Sequence, residues 1–153
     1  MELYDIFTLI IKLFEKEKIE YAICGGLAVA FHGFTRFTKD IDILIPENNK
    51  DETEKLLKLH GFDFSSGIIP FDVGTTKERK IHRVSKIEGK NIFTVDLLIV
   101  NDNLQKIWET RETFEWNNMN VQVVSRSGLI SMKKMAGRDQ DLVDIKRLEN
   151  IDE

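Results

Sequence analysis

The sequence contains few cysteines and prolines and no long apolar run. Cys24 is the single cysteine among 153 residues, so the chain cannot form an internal disulfide, and we expect a reducing compartment. With two prolines and no low-complexity stretch, the sequence shows no linker, which predicts one domain over residues 1–153. No run reaches the roughly 18 apolar residues of a membrane span, and the N-terminus lacks a basic segment and a cleavage site. We therefore expect a cytoplasmic protein with no membrane segment.

An excess of positive charge is also missing. The formal net charge is −4, which argues against the broad basic surface that long nucleic acids require, although a tRNA end needs only a local patch. Hydrophobic residues make up 42% of the chain and charged residues 31%, which is the composition of a globular domain.

The spacing of apolar residues predicts an α/β (α+β) fold, with a mixed central sheet flanked by helices. The predicted helices cover residues 2–18, 27–31, 49–60, 103–115, 127–135 and 139–150, the last two forming a helical C-terminal segment of about 126–150. Ser127 is the predicted N-cap of the fifth helix, and Gly137 separates it from the sixth. The predicted strands cover 21–24, 40–46, 79–87, 91–100 and 119–125, with strand and loop at 62–76.

Three aspartates lie in strands that are otherwise apolar. Asp40 and Asp42 share one face of the strand DIDILIP, because residues two apart on a strand project the same way and lie about 6.6 Å apart. Such a pair is costly to bury unless it is solvated or a metal supplies positive charge, and Mg²⁺ prefers carboxylate and phosphate oxygens. Asp96 lies in VDLLIV. If that strand lies beside DIDILIP, the three carboxylates suit two metal ions about 3.5 to 4 Å apart.

A glycine pair precedes these aspartates. Gly25 and Gly26 break a short buried strand and open the apolar helix at 27–31. Glycine lets backbone N–H groups at a helix start approach an anion closely, which suits a triphosphate. The glycines and the aspartates together predict a metal-nucleotide site.

The motifs resemble those of the nucleotidyltransferase superfamily that includes DNA polymerase β. They are similar in particular to small bacterial and archaeal members found among abortive-infection toxins and antibiotic-modifying nucleotidyltransferases. The shared forms are GG-x-A, a His-Gly after a short helix, Arg-x-Thr-x-Asp-x-Asp, and a late Ala-Gly-Arg-x-x-Asp-Leu-x-Asp-Ile. In this sequence they are Gly25, Gly26 and Ala28; His32 and Gly33; Arg36, Thr38, Asp40 and Asp42; and AGRDQDLVDI at 136–145.

The resemblance implies transfer of a nucleoside monophosphate from an NTP, with ATP as one candidate, to a hydroxyl acceptor with release of pyrophosphate. It implies that Gly25 and Gly26 hold the triphosphate and that Asp40 and Asp42 bind Mg²⁺. Asp96 would share a metal and help deprotonate the acceptor. Many members have Gly-Ser where this sequence has Gly-Gly, so a hydroxyl contact to phosphate is missing. A partner subunit or a homodimer would complete the cleft.

Several residues have alternative interpretations. Asp96 pairs either with a metal or with a basic residue of the preceding strand, Arg79, Lys80 or Arg83. Arg36, which with Thr38 leads into the DIDILIP strand, either reaches a phosphate or is a surface arginine. Lys133 would meet a phosphate, whereas a pairing of Arg138 with Asp141 or Asp144 would brace the last two helices. His32, Trp108 and Trp116 are expected to be packing residues.

Two functions of other classes compete with the transferase. One is a toxin component of a toxin-antitoxin system that acts on tRNA or protein. The other is a non-catalytic nucleotide-binding or partner-binding module of the same fold. The three aspartates Asp40, Asp42 and Asp96 argue against the inactive module, because a protein without catalysis has little reason to keep three clustered anions.

Overall fold

The computed structural model describes residues 2–34 and 38–150. Six α-helices of the described chain are α1 Leu3–Lys16, α2 Gly25–Phe31, α3 Lys50–Leu59, α4 Gln105–Glu109, α5 Arg126–Ala136 and α6 Asp139–Glu149. Its strands are β1 Ala22–Cys24, β2 Asp40–Pro46, β3 Phe64–Phe71, β4 Arg79–Glu88, β5 Asn91–Val100, β6 Glu112–Trp116 and β7 Met119–Val123. A short 3-10 turn, Glu47–Asn49, joins β2 to α3.

The strands form one seven-stranded sheet in the order β3-β4-β5-β2-β1-β7-β6. The pairs β2–β5 and β1–β7 are parallel, and β1–β2, β3–β4, β4–β5 and β6–β7 are antiparallel. The mixed sheet and its flanking helices confirm the predicted fold class. Within the described chain, no helix is both long enough and apolar enough to cross a membrane.

The core forms where the predicted periodic faces meet. In α1 the residues Ile6, Ile10 and Phe14 are fully buried, and their four-residue spacing places them on one side of the helix. The alternating residues Ile41, Ile43 and Ile45 of β2 are also fully buried. Burial of this apolar surface is the main force that holds the sheet and its helices together.

The predicted helix over 103–115 is wrong. Only Gln105–Glu109 are helical, and Glu112–Trp116 form β6, which pairs with β7. The turn between these two strands is Asn117–Asn118, and both residues have positive φ, 48° and 61°. Asparagine tolerates this conformation, and a two-residue turn of this kind fixes an antiparallel hairpin. Trp108 and Trp116 therefore lie on different elements, although both pack, Trp108 buried in the core and Trp116 edge-on against Phe7.

The N-cap of α5 also differs from the prediction. Helix α5 begins at Arg126, so Ser127 lies inside its first turn. Ser125 is the N-cap instead, and its hydroxyl accepts a hydrogen bond of 3.1 Å from the Gly128 amide. At the other end, Gly137 has φ +64°, which ends α5 in the left-handed conformation that glycine adopts without strain.

Candidate active site

A pocket of about 390 Å³ opens on one face of the sheet, between the strands and α5. Residues from both halves of the chain line it. They are Cys24, Gly25, Asp40, Asp42, Phe71, Arg79, Ile81, Arg83, Asp96, Leu98, Leu129, Met132, Lys133, Ala136, Arg138 and Asp141. The structure therefore brings Gly25, Lys133 and the three predicted aspartates into one cavity.

The register of the central strands places the aspartates together. Parallel pairing of β2 with β5 sets Asp42 opposite Asp96, and Asp40 opposite Thr94. Antiparallel pairing of β1 with β2 sets Cys24 opposite Asp42. Directly paired residues project to the same face of a sheet, so the carboxylates of Asp40, Asp42 and Asp96 share the pocket face. The expectation that VDLLIV lies beside DIDILIP is confirmed.

The position of Asp42 disfavours its ionised form. Burial, together with the negative charges of Asp96 and Asp40, raises its pKa from 3.8 to about 7. Lys133 and Arg138 act in the opposite direction but do not compensate. Burial also raises the pKa of Asp40, with a further contribution from Asp96. These carboxylates lack sufficient positive charge from the protein itself.

Position 25 requires glycine for two reasons, its backbone conformation and its close contact with Asp42. It has φ +64°, a conformation that other residues adopt only with strain. A Cβ atom at this position would overlap the Asp42 carboxylate group. The backbone at the start of α2 therefore lies directly against Asp42. The first N–H groups of a helix have no partner within it, so α2 presents backbone donors beside this carboxylate.

Asp96 is held by an arginine of the neighbouring strand. Arg83 donates from Nε to Oδ1 of Asp96 at 2.8 Å and from Nη2 to Oδ2 at 3.0 Å. Asp96 is 6% exposed, so this two-bond pair compensates a buried charge. The predicted salt bridge of Asp96 with a basic hairpin residue therefore forms with Arg83, and it forms inside the pocket.

A second cluster of charges lies where α5 and α6 meet. Lys133 is buried, with its Nζ 3.0 Å from Oδ2 of Asp144 and 3.6 Å from Oδ1 of Asp141. Arg138 donates from Nε to Oδ2 of Asp141 at 2.8 Å. Burial alone would raise the pKa of Asp141, but the bonds from Arg138 and the charges of Arg138 and Lys133 lower it below its ordinary value. The predicted pairing of Arg138 with Asp141 is present, but it lies at the start of α6, and Lys133 makes the link between the two helices.

The other predicted site residues lie elsewhere. Gly26 is buried in α2, and the Thr38 hydroxyl donates to the Asp40 backbone carbonyl at 3.2 Å; neither belongs to the residues that line the pocket. Arg36 lies outside the described residues. His32 packs edge-on against Phe114, with its Nε2 2.9 Å from the Val124 carbonyl oxygen, as expected of a packing residue.

The sequence predicted Arg79 only as a possible partner of Asp96, and it did not assign Phe71 to the pocket. Phe71 at the end of β3 and Arg79 at the start of β4 are paired across the two strands, and the Arg79 guanidinium lies 5.4 Å from the Phe71 ring centroid. The signal for Arg79 was present in β4, where residues 79, 81 and 83 alternate onto the face that carries Asp96. Phe71 could not be assigned, because β3 reaches the pocket only through its pairing with β4.

The carboxylates fit a divalent cation in part. Asp40 and Asp42 offer hard oxygen ligands, and the raised pKa of Asp42 shows that positive charge is missing there. Both Asp96 oxygens already accept bonds from Arg83. In the described parts of the chain, no group of three or more His, Cys, Asp or Glu residues is arranged to hold a metal ion. The geometry therefore fits one cation at Asp40 and Asp42, and the two-ion arrangement stays a prediction.

Comparison with solved structures identifies the fold. A putative nucleotidyltransferase from Thermotoga maritima is 18% identical, with 96% of this chain and 92% of that chain covered at a TM-score of 0.61. An antigenic nucleotidyltransferase-like protein from Paracoccidioides brasiliensis is 20% identical, with 96% and 75% covered at a TM-score of 0.59. ANT(2")-Ia, solved in complex with adenylyl-2"-tobramycin, is 14% identical, with 97% and 91% covered at a TM-score of 0.60. The chain therefore has the fold of these proteins.

Sequence comparison assigns the family. No curated protein matches the chain in sequence. The model of the aminoglycoside-2''-adenylyltransferase family matches residues 6–148, which include the pocket and its three aspartates. This match confirms the predicted superfamily and the prediction of a nucleotidyltransferase enzyme. The chain belongs to the aminoglycoside-2''-adenylyltransferase family.

Proposed function

We propose that the protein transfers a nucleoside monophosphate from an NTP to a hydroxyl acceptor, with Mg²⁺ bound at Asp40 and Asp42. The observation that carries this proposal is the unmatched negative charge of Asp42, which lies against the backbone of Gly25. A carboxylate pair that lacks positive charge, next to backbone donors that suit a phosphate, is the arrangement expected of a metal-nucleotide site.

The residues of the pocket have separate roles in this proposal. The backbone at Gly25, which lines the pocket, and at Gly26, the next residue of α2, would hold the triphosphate, and Asp40 and Asp42 would hold the cation. When bound, the cation would neutralise the phosphate charge and the charge that develops in the transition state. Lys133 is close enough to Asp42 to influence its charge, and in this proposal it adds positive potential at the same end of the pocket.

Asp96 acts on the acceptor. A carboxylate has about four lone-pair positions, so Asp96 can accept a hydrogen bond from a hydroxyl while Arg83 occupies one position on each oxygen. The acceptor oxygen bonds to the α-phosphorus, its proton passes to Asp96, and the bond from the α-phosphorus to the pyrophosphate oxygen breaks. Arg83 orients Asp96 for this step. Holding the two reactants in line lowers the barrier, because the entropy of bringing them together is lost on binding and not in the chemical step.

Isothermal titration of each of the four NTPs tests the proposal. We expect binding of at least one NTP in Mg²⁺ and its loss both in EDTA and in the Asp40→Asn/Asp42→Asn double variant. The matched control is Asp63→Asn/Asp102→Asn, which removes two charges from exposed positions outside the pocket and should bind as the wild type does. Metal-independent binding, or full binding by the Asp40→Asn/Asp42→Asn protein, would rule out this site.

Other expectations are further proposals of the same kind. We also propose ATP as the nucleotide and a partner subunit or a homodimer that completes the cleft. A toxin component that acts on tRNA or protein is the alternative function. The single domain over 1–153, the cytoplasmic location and the phosphate contacts of Arg36 and Thr38 also stay predictions. The non-catalytic nucleotide-binding or partner-binding module stays the alternative of the same fold.

A further inference from the structure

A second group of reactive side chains lies on the face of the sheet opposite the pocket. Arg83 of β4 lines the pocket, and its neighbour His82 projects to the other face, because successive residues of a strand alternate. There the imidazole of His82 lies between Ser65 of β3 and Glu54 of α3. We call these three residues the Ser-His-Glu group. None of them is among the residues that line the pocket.

The imidazole of His82 contacts both partners through its two nitrogens. Nε2 lies 2.8 Å from Oγ of Ser65. Nδ1 is buried, makes no hydrogen bond within the described chain, and lies 3.4 Å from Oε2 of Glu54. A buried polar atom without a hydrogen bond is rare in proteins, and a catalytic role is one of its known causes. The hydrogen bonds of catalytic groups are often long in the free protein and shorten when a substrate binds.

The groups around His82 indicate where its proton lies. The Gly67 amide donates to Oγ of Ser65 at 3.0 Å, so this oxygen accepts one bond and keeps its own proton for another partner. An ionised Glu54 carboxylate can only accept, which favours the tautomer of His82 with the proton on Nδ1. Nε2 then carries the lone pair that accepts the Ser65 proton. The three side chains are thus ordered as nucleophile, general base and orienting carboxylate.

The nucleophile of the group is accessible, although its base is buried. Ser65 is exposed on β3, which is an edge strand of the sheet, whereas His82 is 3% exposed. The register with β4 shifts between Ser65 and Ile68, and such a bulge changes the direction of a side chain. Ile68 is paired with His82 and is 45% exposed, so it offers an apolar contact beside the hydroxyl. A small ligand can therefore reach Oγ of Ser65 from solvent.

We propose that the Ser-His-Glu group is a second reactive site, at which Ser65 takes an acyl group from small activated carboxylic esters. Oγ of Ser65 bonds to the carbonyl carbon, and the bond from that carbon to the leaving oxygen breaks. The Ser65 proton passes through Nε2 of His82 to the leaving oxygen. Water then adds to the acyl carbon, one of its protons returns through His82 to Oγ of Ser65, and the carboxylic acid leaves.

The position of the group determines the class of ester. Ser65 lies at an exposed edge, where a leaving group receives little stabilisation from the protein, so the ester must carry a leaving group that departs readily. The half-exposed side chain of Ile68 favours a short apolar acyl chain. This activity goes beyond the proposed nucleotide transfer and does not depend on it, because the two sites lie on opposite faces of the sheet.

The probe for the test is p-nitrophenyl acetate, an activated ester with a short acyl chain. Release of p-nitrophenolate gives the rate, and mass spectrometry of proteolytic peptides gives the acetyl group at each serine. Ser66 is the internal control. It is also exposed, and the contacts of its Oγ within the described chain are with the backbone carbonyls of Gly67 and Arg83 and not with a histidine. Thermal unfolding of each variant shows that it is folded.

We expect acetylation of Ser65 to be on the order of 10²-fold faster than that of Ser66, the contribution of a positioned general base. Ser65→Ala should abolish the burst of p-nitrophenolate, and Ser66→Ala should retain it. Glu54 is a positioning residue, so Glu54→Gln should lower the maximum acetylation rate at least about tenfold and leave the half-saturating ester concentration unchanged. Glu52→Gln is its matched control, since Glu52 is exposed on the same helix.

Two results would overturn the proposal. Equal rates of acetylation at Ser65 and Ser66 would show that His82 does not activate the serine. A burst that persists in full in Ser65→Ala would place the reaction on another residue. NTP binding measured on the same samples separates this site from the proposed function, because neither result determines the other.

Discussion

Two groups of acids lie in and beside the pocket, and they differ in how their charge is balanced. Asp141 and Asp144 have Lys133 and Arg138 as partners, and the pKa of Asp141 lies below its ordinary value. Asp42 has Asp40 and Asp96 as neighbours, and burial together with their charges raises its pKa to about 7. The first group is neutralised by the protein, whereas the second is not.

This difference in charge balance distinguishes a group of acids that stabilises the fold from a group that, as we propose, binds a ligand. A buried carboxylate with its own basic partners needs no ligand to balance its charge, and the ion pairs of Lys133 with Asp141 and Asp144 join α5 to α6. A buried carboxylate among other carboxylates destabilises the folded state unless a cation binds. Proteins retain such a cost where it has a use, so the unbalanced group indicates where a ligand binds. The balanced group explains why α6 packs beside the pocket.

Lys133→Met should have the largest effect on stability, because it removes the central cation of the balanced group. Asp144 is 0% exposed and Asp141 is 2% exposed, so both would lose a partner inside the protein. Breaking a buried pair on one side costs about 3–5 kcal/mol. Denaturant unfolding measures the loss. Lys134→Met is the control, since Lys134 is 63% exposed in the same helix, and it should change stability by no more than about 0.5 kcal/mol.

Gly25→Ala should disturb the unbalanced group. The φ of +64° costs an alanine about 1–2 kcal/mol, and the added Cβ also overlaps the Asp42 carboxylate. We expect a loss of more than about 2 kcal/mol together with loss of NTP binding. Gly137→Ala is the matched control, because Gly137 has the same φ but its nearest atom to an added Cβ is 3.8 Å away. Equal losses of unfolding free energy in the two variants would show that the overlap with Asp42 does not contribute to the effect of Gly25→Ala.

Asp42→Asn should stabilise the protein above neutral pH in EDTA. The carboxyl group of Asp42 loses its proton at about pH 7 in the folded protein and near 3.8 in the unfolded chain. The folded state therefore binds the proton more tightly, and wild-type stability falls as the pH rises from about 4 to 7 or slightly above. We expect the variant to gain on the order of 2 kcal/mol at pH 8.

The control for Asp42→Asn is the addition of Mg²⁺. The cation should stabilise the wild type and not the variant, so the gain shrinks or reverses when the metal is present. Thermal unfolding at several pH values with and without Mg²⁺ gives both measurements. A variant that is less stable than the wild type at pH 8 in EDTA would show that the protein already balances the Asp42 charge.

Arg138→Gln should have the smallest effect. Its side chain is 76% exposed although its partner Asp141 is 2% exposed, so solvent screens much of the interaction, and the loss should stay below about 1 kcal/mol. Because Arg138 lowers the pKa of Asp141, its contribution is present near neutral pH and decreases as Asp141 takes up a proton in acid. Denaturant unfolding at pH 7 and pH 3, at low and high salt, tests whether the stability lost in Arg138→Gln decreases in acid. A loss that grows in acid would contradict it.

Local patterns predicted most of the fold and the central acids of the site. The alternation of DIDILIP placed Asp40 and Asp42 on one face, and the hairpin turn at 88–90 joined β4 to β5, both as the structure shows. The error at 103–115 arose from a helical spacing that included the alternating residues of β6. The Asn117–Asn118 turn was the signal against it, because two asparagines in sequence favour positive φ.

The sequence by itself determined the strand that carries Asp40 and Asp42, the glycine turn before it and the family to which the motifs point. Each of these depends on residues close together in the chain, where periodicity and backbone preference act. Only the tertiary structure decided that Arg83 pairs with Asp96 and that Lys133 forms ion pairs with Asp141 and Asp144. Strand register and helix packing determine these ion pairs. The paired residues lie on different elements of the chain, so local sequence patterns do not predict which charges meet.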